Sequence, residues 1–488
     1  MSVASSRPID VLVVGWYPAA DAIAAGRFVA DQVEALAATG RVRPCVVSFE
    51  NVPVRGRRGA AQAAAVDANV AASVAVSSPF VEGGAAGAPH VPVARLAAPA
   101  RERGAAPPDH RGRDRTRSLL ALGLAEAADQ PRWSLVHGHV GYPDGIAAAE
   151  LAERLAVPYV ITEHASFLAT LLADPLVRER YRAALRGAAR VIAVSRTLAE
   201  EVTAIVPELD GRIEVIPNAV AVDDFGHAGA ARTGAGGGGG TDEPVDGPRV
   251  AGELLFVGAR RASKGIETLL RAFAAVRAER PDAALRLIGD PGTGSDDDAA
   301  WRRLAAELGV GSDVRFEGPT DRSGVAAAMA RADLFVHPSP RETFGVVAVE
   351  ALAAGLPVVA ADSGGVTEVL GDTPERLGGL APRDDAPALA AAILTALGRR
   401  DAYDPAVLHA YAAERYAASV VADRLADVYR AVLSERPAAP VQPVPEGARA
   451  ATERVDGSQA IDLVAARPIV VSWSALQLGA AARFPEAT

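Results

Sequence analysis

The sequence predicts an α/β chain of two doubly wound, parallel-sheet domains joined by a hinge. Short β-branched runs alternate with Ala- and Leu-rich helical stretches, the pattern of parallel strands covered by helices. The alternation runs twice, and the glycine-rich stretch of residues 226–250, with A-R-T-G-A-G-G-G-G-G-T-D-E-P, lies between the two passes as a flexible linker. A chain of 488 residues that is 50% apolar is long enough to bury two such cores.

Taken in order, residues 1–225 form the first domain, with strands expected at Val11–Val14, Cys45–Ser48, Leu135–His137, Tyr159–Thr162, Val191–Val194 and Ile213–Ile216. Helices are expected to start at Arg27, Ile146, Pro175 and Arg196. Residues 52–130 interrupt this rhythm and read as a long insert, either a binding loop or an unstructured one. The second domain, residues 251–402, restarts with strands at Leu254–Val257, Leu285–Ile288, Val314–Phe316, Leu334–His337 and Pro357–Ala361. Residues 403–433 are helical by pattern and are expected to pack back on the first domain. Residues 434–488, with their Pro and Ala clusters, have little to bury and read as a disordered tail, within which the apolar run Ile469–Leu478 has no assignment.

Charge and cysteine content exclude several classes. A net charge of -10 argues against nucleic acid as the main partner. The single cysteine, Cys45, rules out an intrachain disulfide and fits a reducing compartment. No apolar run is long enough to span a membrane and the N-terminal apolar stretch is too short for a signal peptide, so a cytoplasmic protein is expected. Between Arg55 and Arg117, however, ten arginines face five acids. That local excess suits peripheral contact with an anionic membrane at its inner face, or a phosphorylated acceptor, and equally suits a loop with no partner.

Lys264 is the only lysine among 50 basic residues. A composition that has turned every other basic position into arginine keeps a lysine where a compact ammonium is needed, because the flat guanidinium fork has a different shape. Lys264 lies in V-G-A-R-R-A-S-K-G, between an apolar strand and a helix, where α/β proteins hold phosphate.

The most specific motif is P-S-P-R-E-T-F-G-V-V-A-V-E-A-L-A-A-G-L-P-V-V-A, with Glu342 and Glu350 eight residues apart. Glu342 is placed at the carboxyl edge of the sheet, where ligands bind in open α/β folds. Glu350 falls among apolar helix positions and needs a hydroxyl or a cation there. The helix-start amides near Phe344, Gly345 and Val346 are available for phosphate oxygens.

At these residues the chain resembles the retaining glycosyltransferases of family 4, whose GT-B fold sets two Rossmann-like domains face to face. The resemblance extends through S-G-G-V-T-E-V at Ser363–Val369 and I-P-N at Ile216–Asn218, and covers roughly residues 9–433. It implies that Glu342 contacts the transferred sugar and that Glu350 binds the ribose hydroxyls. Lys264 is then a stabiliser of the leaving diphosphate, Gly258 and Gly289 belong to the donor site, and Arg315 lies near the base. The family usually has an arginine five residues before the lysine. Here that position is Ala259, and Arg260 is expected to substitute, with Arg261 a solvated neighbour. In the first half, the loop after G-W-Y-P brings Gly26 and Arg27 to the diphosphate. His164, in T-E-H, matches the histidine beside the sugar, where it could hydrogen-bond the sugar or its leaving group. His137, His139, Tyr142 and Asp144, in H-G-H-V-G-Y-P-D-G, are acceptor-side candidates. Asp296, Asp297 and Asp298 imitate an acidic metal clamp but read as solvated loop residues.

The resulting expectation is a retaining, metal-independent transferase that needs no cofactor and moves a sugar from a nucleotide-diphosphate donor to a carbohydrate or lipid-linked acceptor in cell-envelope synthesis. The competing readings are a nucleotide-sugar epimerase of the same fold and a catalytically silent sugar-nucleotide binding protein.

Overall fold

The computed structural model describes residues 7–18, 27–53, 91, 93–100, 133–166, 168–226, 251–292 and 298–435. The first sheet has seven strands in the order β3-β2-β1-β4-β5-β6-β7: β1 (Ile9–Val14), β2 (Val42–Pro53), β3 (Val93–Ala100), β4 (Leu135–His139), β5 (Tyr159–Glu163), β6 (Arg190–Ala193) and β7 (Ile213–Val215). The second has six strands in the order β10-β9-β8-β11-β12-β13: β8 (Glu253–Val257), β9 (Ala284–Ile288), β10 (Val314–Glu317), β11 (Leu334–His337), β12 (Val358–Ala361) and β13 (Gly378–Ala381). The paired strands in both sheets are parallel. Fully buried runs such as Val11–Val14, Leu334–Val336 and Val358–Ala360 are what a sheet covered on both faces requires.

The expected strands are present, and two more flank them. Strands β3 and β13 are edge strands whose V-A-R-L-A-A-P-A and G-G-L-A lack the β-branched signature, because an edge needs only one partner. At Gly378, with φ +146°, a Cβ would lie 2.0 Å from the Val358 carbonyl oxygen, so close strand approach demands glycine there.

Helices begin where side chains cap them. Ser195 accepts from the Leu198 N–H ahead of helix Arg196–Ile205, and Asp321 accepts from the Gly324 N–H ahead of helix Arg322–Arg331. The final helix, Ala418–Glu435, packs on helix Arg27–Ala38 through Val421, Leu425, Tyr429 and Val432, joining the core of the first sheet. In both sheets the strand order reverses at one place, between β1 and β4 and between β8 and β11. Crevices at the carboxyl ends of such strands are where open α/β folds bind ligands.

Candidate functional site: the paired crevices

The second-sheet crevice is built from the turns after β8 and β11. Gly265, at φ +72°, lets the Lys264 turn sit against the Pro338 carbonyl; a Cβ there would come within 2.2 Å of that oxygen. This places Lys264 Nζ 2.8 Å from Glu342 Oε2. His337 Nε2 lies 3.8 Å from the same oxygen. Burial raises the Glu342 carboxyl, but Lys264 and His337 outweigh it and hold the group below the usual carboxylate range. Burial lowers His337 to about 4, so it is neutral at pH 7. The chain's only lysine and the first glutamate of the E-x7-E motif thus form one partly buried ion pair.

Gly345, at φ +93°, opens helix Val346–Ala353, and a Cβ on it would meet Val366 Cγ2 at 2.3 Å. The Phe344 ring is buried against Tyr416, with centroids 5.5 Å apart, so only its main chain is placed to meet a ligand. Val346 is half-buried and packs on the core. Glu350 sits a turn further along, and burial pushes its carboxyl up to about 8; Arg322 opposes that rise while Asp31 and Asp224 add to it.

Arg322 crosses between the two halves. Its guanidinium donates to Asp31 at 2.5 Å and to Asp224 at 2.7 Å. Asp31 belongs to the first helix, where Arg27 also approaches it at 3.8 Å. Further contacts bind the halves near Glu342. Arg341 donates to the Ser166 carbonyl and to Glu201. Glu368 accepts from the Arg196 and Thr197 main-chain N–H groups and from the Thr197 hydroxyl. The Thr343 hydroxyl donates to the His164 carbonyl at 3.1 Å, bringing the E-x7-E loop onto the T-E-H loop.

The first-sheet crevice is built from neutral groups around a buried glutamate. Glu163, at the end of β5, accepts from the main-chain N–H groups of Gly141, His164 and Ala165 and from the Tyr181 hydroxyl. That set of four donors fixes both loops. His164 Nδ1 lies 2.9 Å from Asn218 Oδ1, and His164 Nε2 lies 2.9 Å from His139 Nδ1. Burial lowers His164 to about 4 and His139 well below its usual value. Both ring nitrogens of His164 are therefore occupied.

Several expected roles change. Arg260 does not replace the missing arginine at Ala259. It is 1% exposed, its Nε and Nη2 grip Asp298, and its Nη1 donates to the carbonyls of Leu287, Gly289 and Glu317. The exposed carbonyl ends of β9 and β10 need donors, and a five-donor guanidinium supplies them. Asp298 is accordingly a buried pair's partner rather than a solvated residue, whereas Asp296 and Asp297 lie outside the described residues. Arg261 is buried as well, 3.7 Å from Asp290.

His137 is a structural link rather than an acceptor contact, bonded to the Tyr429 hydroxyl at 2.7 Å and the Thr162 hydroxyl at 2.8 Å. Tyr142 and Asp144 are buried and partnered, so neither is presented to an acceptor. Gly258 and Gly289 serve close strand approach: a Cβ on Gly289 would lie 2.1 Å from the Gly258 carbonyl oxygen. Arg315 lies with Arg286, Glu317, Gly318 and Thr320 on a groove of about 590 Å³ that Lys264, Glu342 and Glu350 do not line. Gly26 and most of the arginine-rich insert lie outside the described residues, while Arg27 opens the first helix.

Four contributors went unread in the sequence. Glu163 carries a local signal, a charge closing an apolar strand. Asn218 had a motif and no partner. Arg322 and Asp31 are 291 residues apart, and no local pattern joins them.

Two doubly wound sheets meeting at their strand-order reversals, with a lysine–glutamate pair in one crevice, are the GT-B architecture. Residues 251–399 match the family described as glycosyl transferases group 1, and residues 25–224 match glycosyltransferase family 4. A protein from Catenulispora acidiphila named D-inositol 3-phosphate glycosyltransferase 2 is 32% identical over 324 residues, 62% of this chain and 72% of that relative. The D-inositol 3-phosphate glycosyltransferase of Nocardiopsis dassonvillei is 33% identical, over 65% of this chain and 75% of its own length. Among solved structures, sucrose-phosphate synthase from Thermosynechococcus elongatus superposes with a TM-score of 0.64 at 23% identity, over 88% of this chain and all 100% of the other. The Anabaena protein HepE in complex with UDP-glucose gives 0.58 at 18% identity, over 87% of this chain and 100% of the other. The chain belongs to glycosyltransferase family 4.

Proposed function

We propose that the protein moves a sugar from a nucleoside-diphosphate donor to an acceptor hydroxyl with retention at the anomeric carbon, and that Lys264 rather than a metal ion opposes the charge on the departing diphosphate. The observation that carries this reading is the Lys264–Glu342 pair of 2.8 Å at the β8/β11 crevice, joined to His164 through Thr343. A preorganised ammonium in a partly buried site stabilises developing charge without reorganising, and it is strongest where water is excluded. Glu342 then faces the transferred sugar, Glu350 takes the ribose hydroxyls, and the Phe344–Val346 amides at the helix start lie with Lys264 around the phosphates. Attack from the leaving-group face fits a site in which Glu342, the carboxylate set toward the sugar, is already held by Lys264.

The HepE structure with UDP-glucose supports a uridine donor as the first choice. For the acceptor, the names of the relatives favour a phosphorylated polyol such as D-inositol 3-phosphate. A lipid-linked sugar in envelope synthesis is the alternative, favoured by the arginine excess at residues 55–117. Incubation with UDP-, GDP- and ADP-sugars, with and without each acceptor, tests the proposal. Transfer giving a product of unchanged anomeric configuration by NMR supports it. Epimerised donor would make the protein an isomerase of the same fold, and no change with any donor would make it a binding protein.

A further inference from the structure

His164 is the ring expected beside the donor sugar, yet it is held from both sides. Gln32 from the first helix, His139 from the end of β4, His164 after β5 and Asn218 after β7 form one line through buried space. The contacts are Asn218 Oδ1 to His164 Nδ1 at 2.9 Å, His164 Nε2 to His139 Nδ1 at 2.9 Å, and His139 Nε2 to Gln32 Nε2 at 3.5 Å.

The protons along this line follow from chemistry. A neutral imidazole has one N–H and one lone pair, so each ring must donate on one side and accept on the other. Asn218 Oδ1 only accepts, so the His164 proton sits on Nδ1. His164 Nε2 must then accept, which puts the His139 proton on its own Nδ1. His139 Nε2 is left to accept, and it faces the Gln32 amide nitrogen, which only donates. The amides at opposite ends impose the same direction independently. Phe28 closes the other side of His164, with ring centroids 4.9 Å apart, and His137 lies 4.4 Å from His139. A doubly protonated ring would set N–H against N–H at the 2.9 Å contact.

We propose that His139 and Asn218 are positioning residues that lock His164 as a neutral, Nδ1-protonated ring with neither nitrogen free, so that His164 meets the donor sugar through shape and not as a proton donor or acceptor. The role rests on the placement of the donor sugar beside His164; the proton positions do not.

Two measurements separate these parts. Nitrogen-15 NMR of the histidine rings of the full chain at pH 7 reports the protonated nitrogen directly. Nδ1–H signals from both His139 and His164 are expected, and an Nε2–H signal from either overturns the lock. The second measurement compares His139→Asn, whose amide keeps an N–H toward His164, with His139→Leu, which does not. His139→Leu should lower kcat about 10–100-fold, the scale of losing a group that orients a site histidine, with the donor KM little changed. His139→Asn should recover most of that loss. Equal losses in the two variants, or a change confined to KM, would overturn the positioning role. Absence of turnover in wild type would reject the donor reading and leave the NMR result to decide the tautomers.

Discussion

The two walls of the interdomain cleft are built on opposite electrostatic plans. The wall after β8 and β11 keeps an ionised pair, Lys264 with Glu342, at a position that is only partly buried. The wall after β4 and β5 sinks three histidines out of water, lowers all three, and pairs their ring nitrogens with neutral neighbours. Charge left accessible can pair with a ligand's phosphates, whereas a closed neutral line gives shape and little else. The ionic wall is thus suited to bind and stabilise a diphosphate, and the neutral wall to hold geometry.

Substitutions at the ionic wall should break this contrast most. Lys264→Ala is expected to lower turnover about 10²–10³-fold, the scale of losing one preorganised charge-stabilising donor, measured as kcat with the best donor. Lys264→Arg should also be impaired, since the fork does not reproduce the ammonium's geometry. Arg260→Ala should behave in the opposite manner. It removes the donors that Arg260 gives to three carbonyls and to Asp298, so unfolding free energy in urea should fall by about 3 kcal/mol, with Lys264-dependent catalysis in the folded fraction retained. Had Arg260 been a phosphate ligand, turnover and not stability would drop.

Arg322→Ala should cost about 2 kcal/mol, less than for a fully buried pair, because Arg322 is 19% exposed while its partner Asp31 is 5% exposed. Urea denaturation followed in each half separately would also show whether the halves uncouple.

Glu350→Gln gives the most diagnostic change. Burial raises this carboxyl from 4.5 to about 8, so between those values the native protein holds a proton that the unfolded chain has lost. The group's stabilising contribution is therefore full below about 4.5 and is lost as pH rises through 8. The variant lacks that loss, so its melting temperature relative to wild type should be higher at pH 9 than at pH 5. Calorimetry should show weaker donor binding in the same variant, and unchanged affinity would remove Glu350 from the ribose.

The strands were largely legible because apolar runs are local signals, while most of the glycine-rich stretch 226–250 and the tail beyond Glu435 lie outside the described residues. The edge strands β3 and β13 were not, since one-sided pairing tolerates Ala, Gly and Pro. Within the site, Lys264, Glu342 and Glu350 stood out by motif and rarity. Arg260 misled, because sequence position next to a phosphate-type turn does not say whether a guanidinium points at solvent or at the carbonyl ends of β9 and β10. The histidines were legible as candidates, but their partners Asn218, Gln32 and Tyr429 come from distant segments, and those partners decide whether a ring is free.

The central claim is that the ionic wall, through Lys264, holds the donor diphosphate while the neutral wall positions the sugar. Calorimetric titration of UDP into wild type, Lys264→Ala and His139→Leu tests it most directly. The expected result is similar affinity for wild type and His139→Leu, and binding at least about tenfold weaker for Lys264→Ala, the equivalent of about 1.4 kcal/mol. Wild-type affinity in Lys264→Ala, with binding lost instead in His139→Leu, would contradict it.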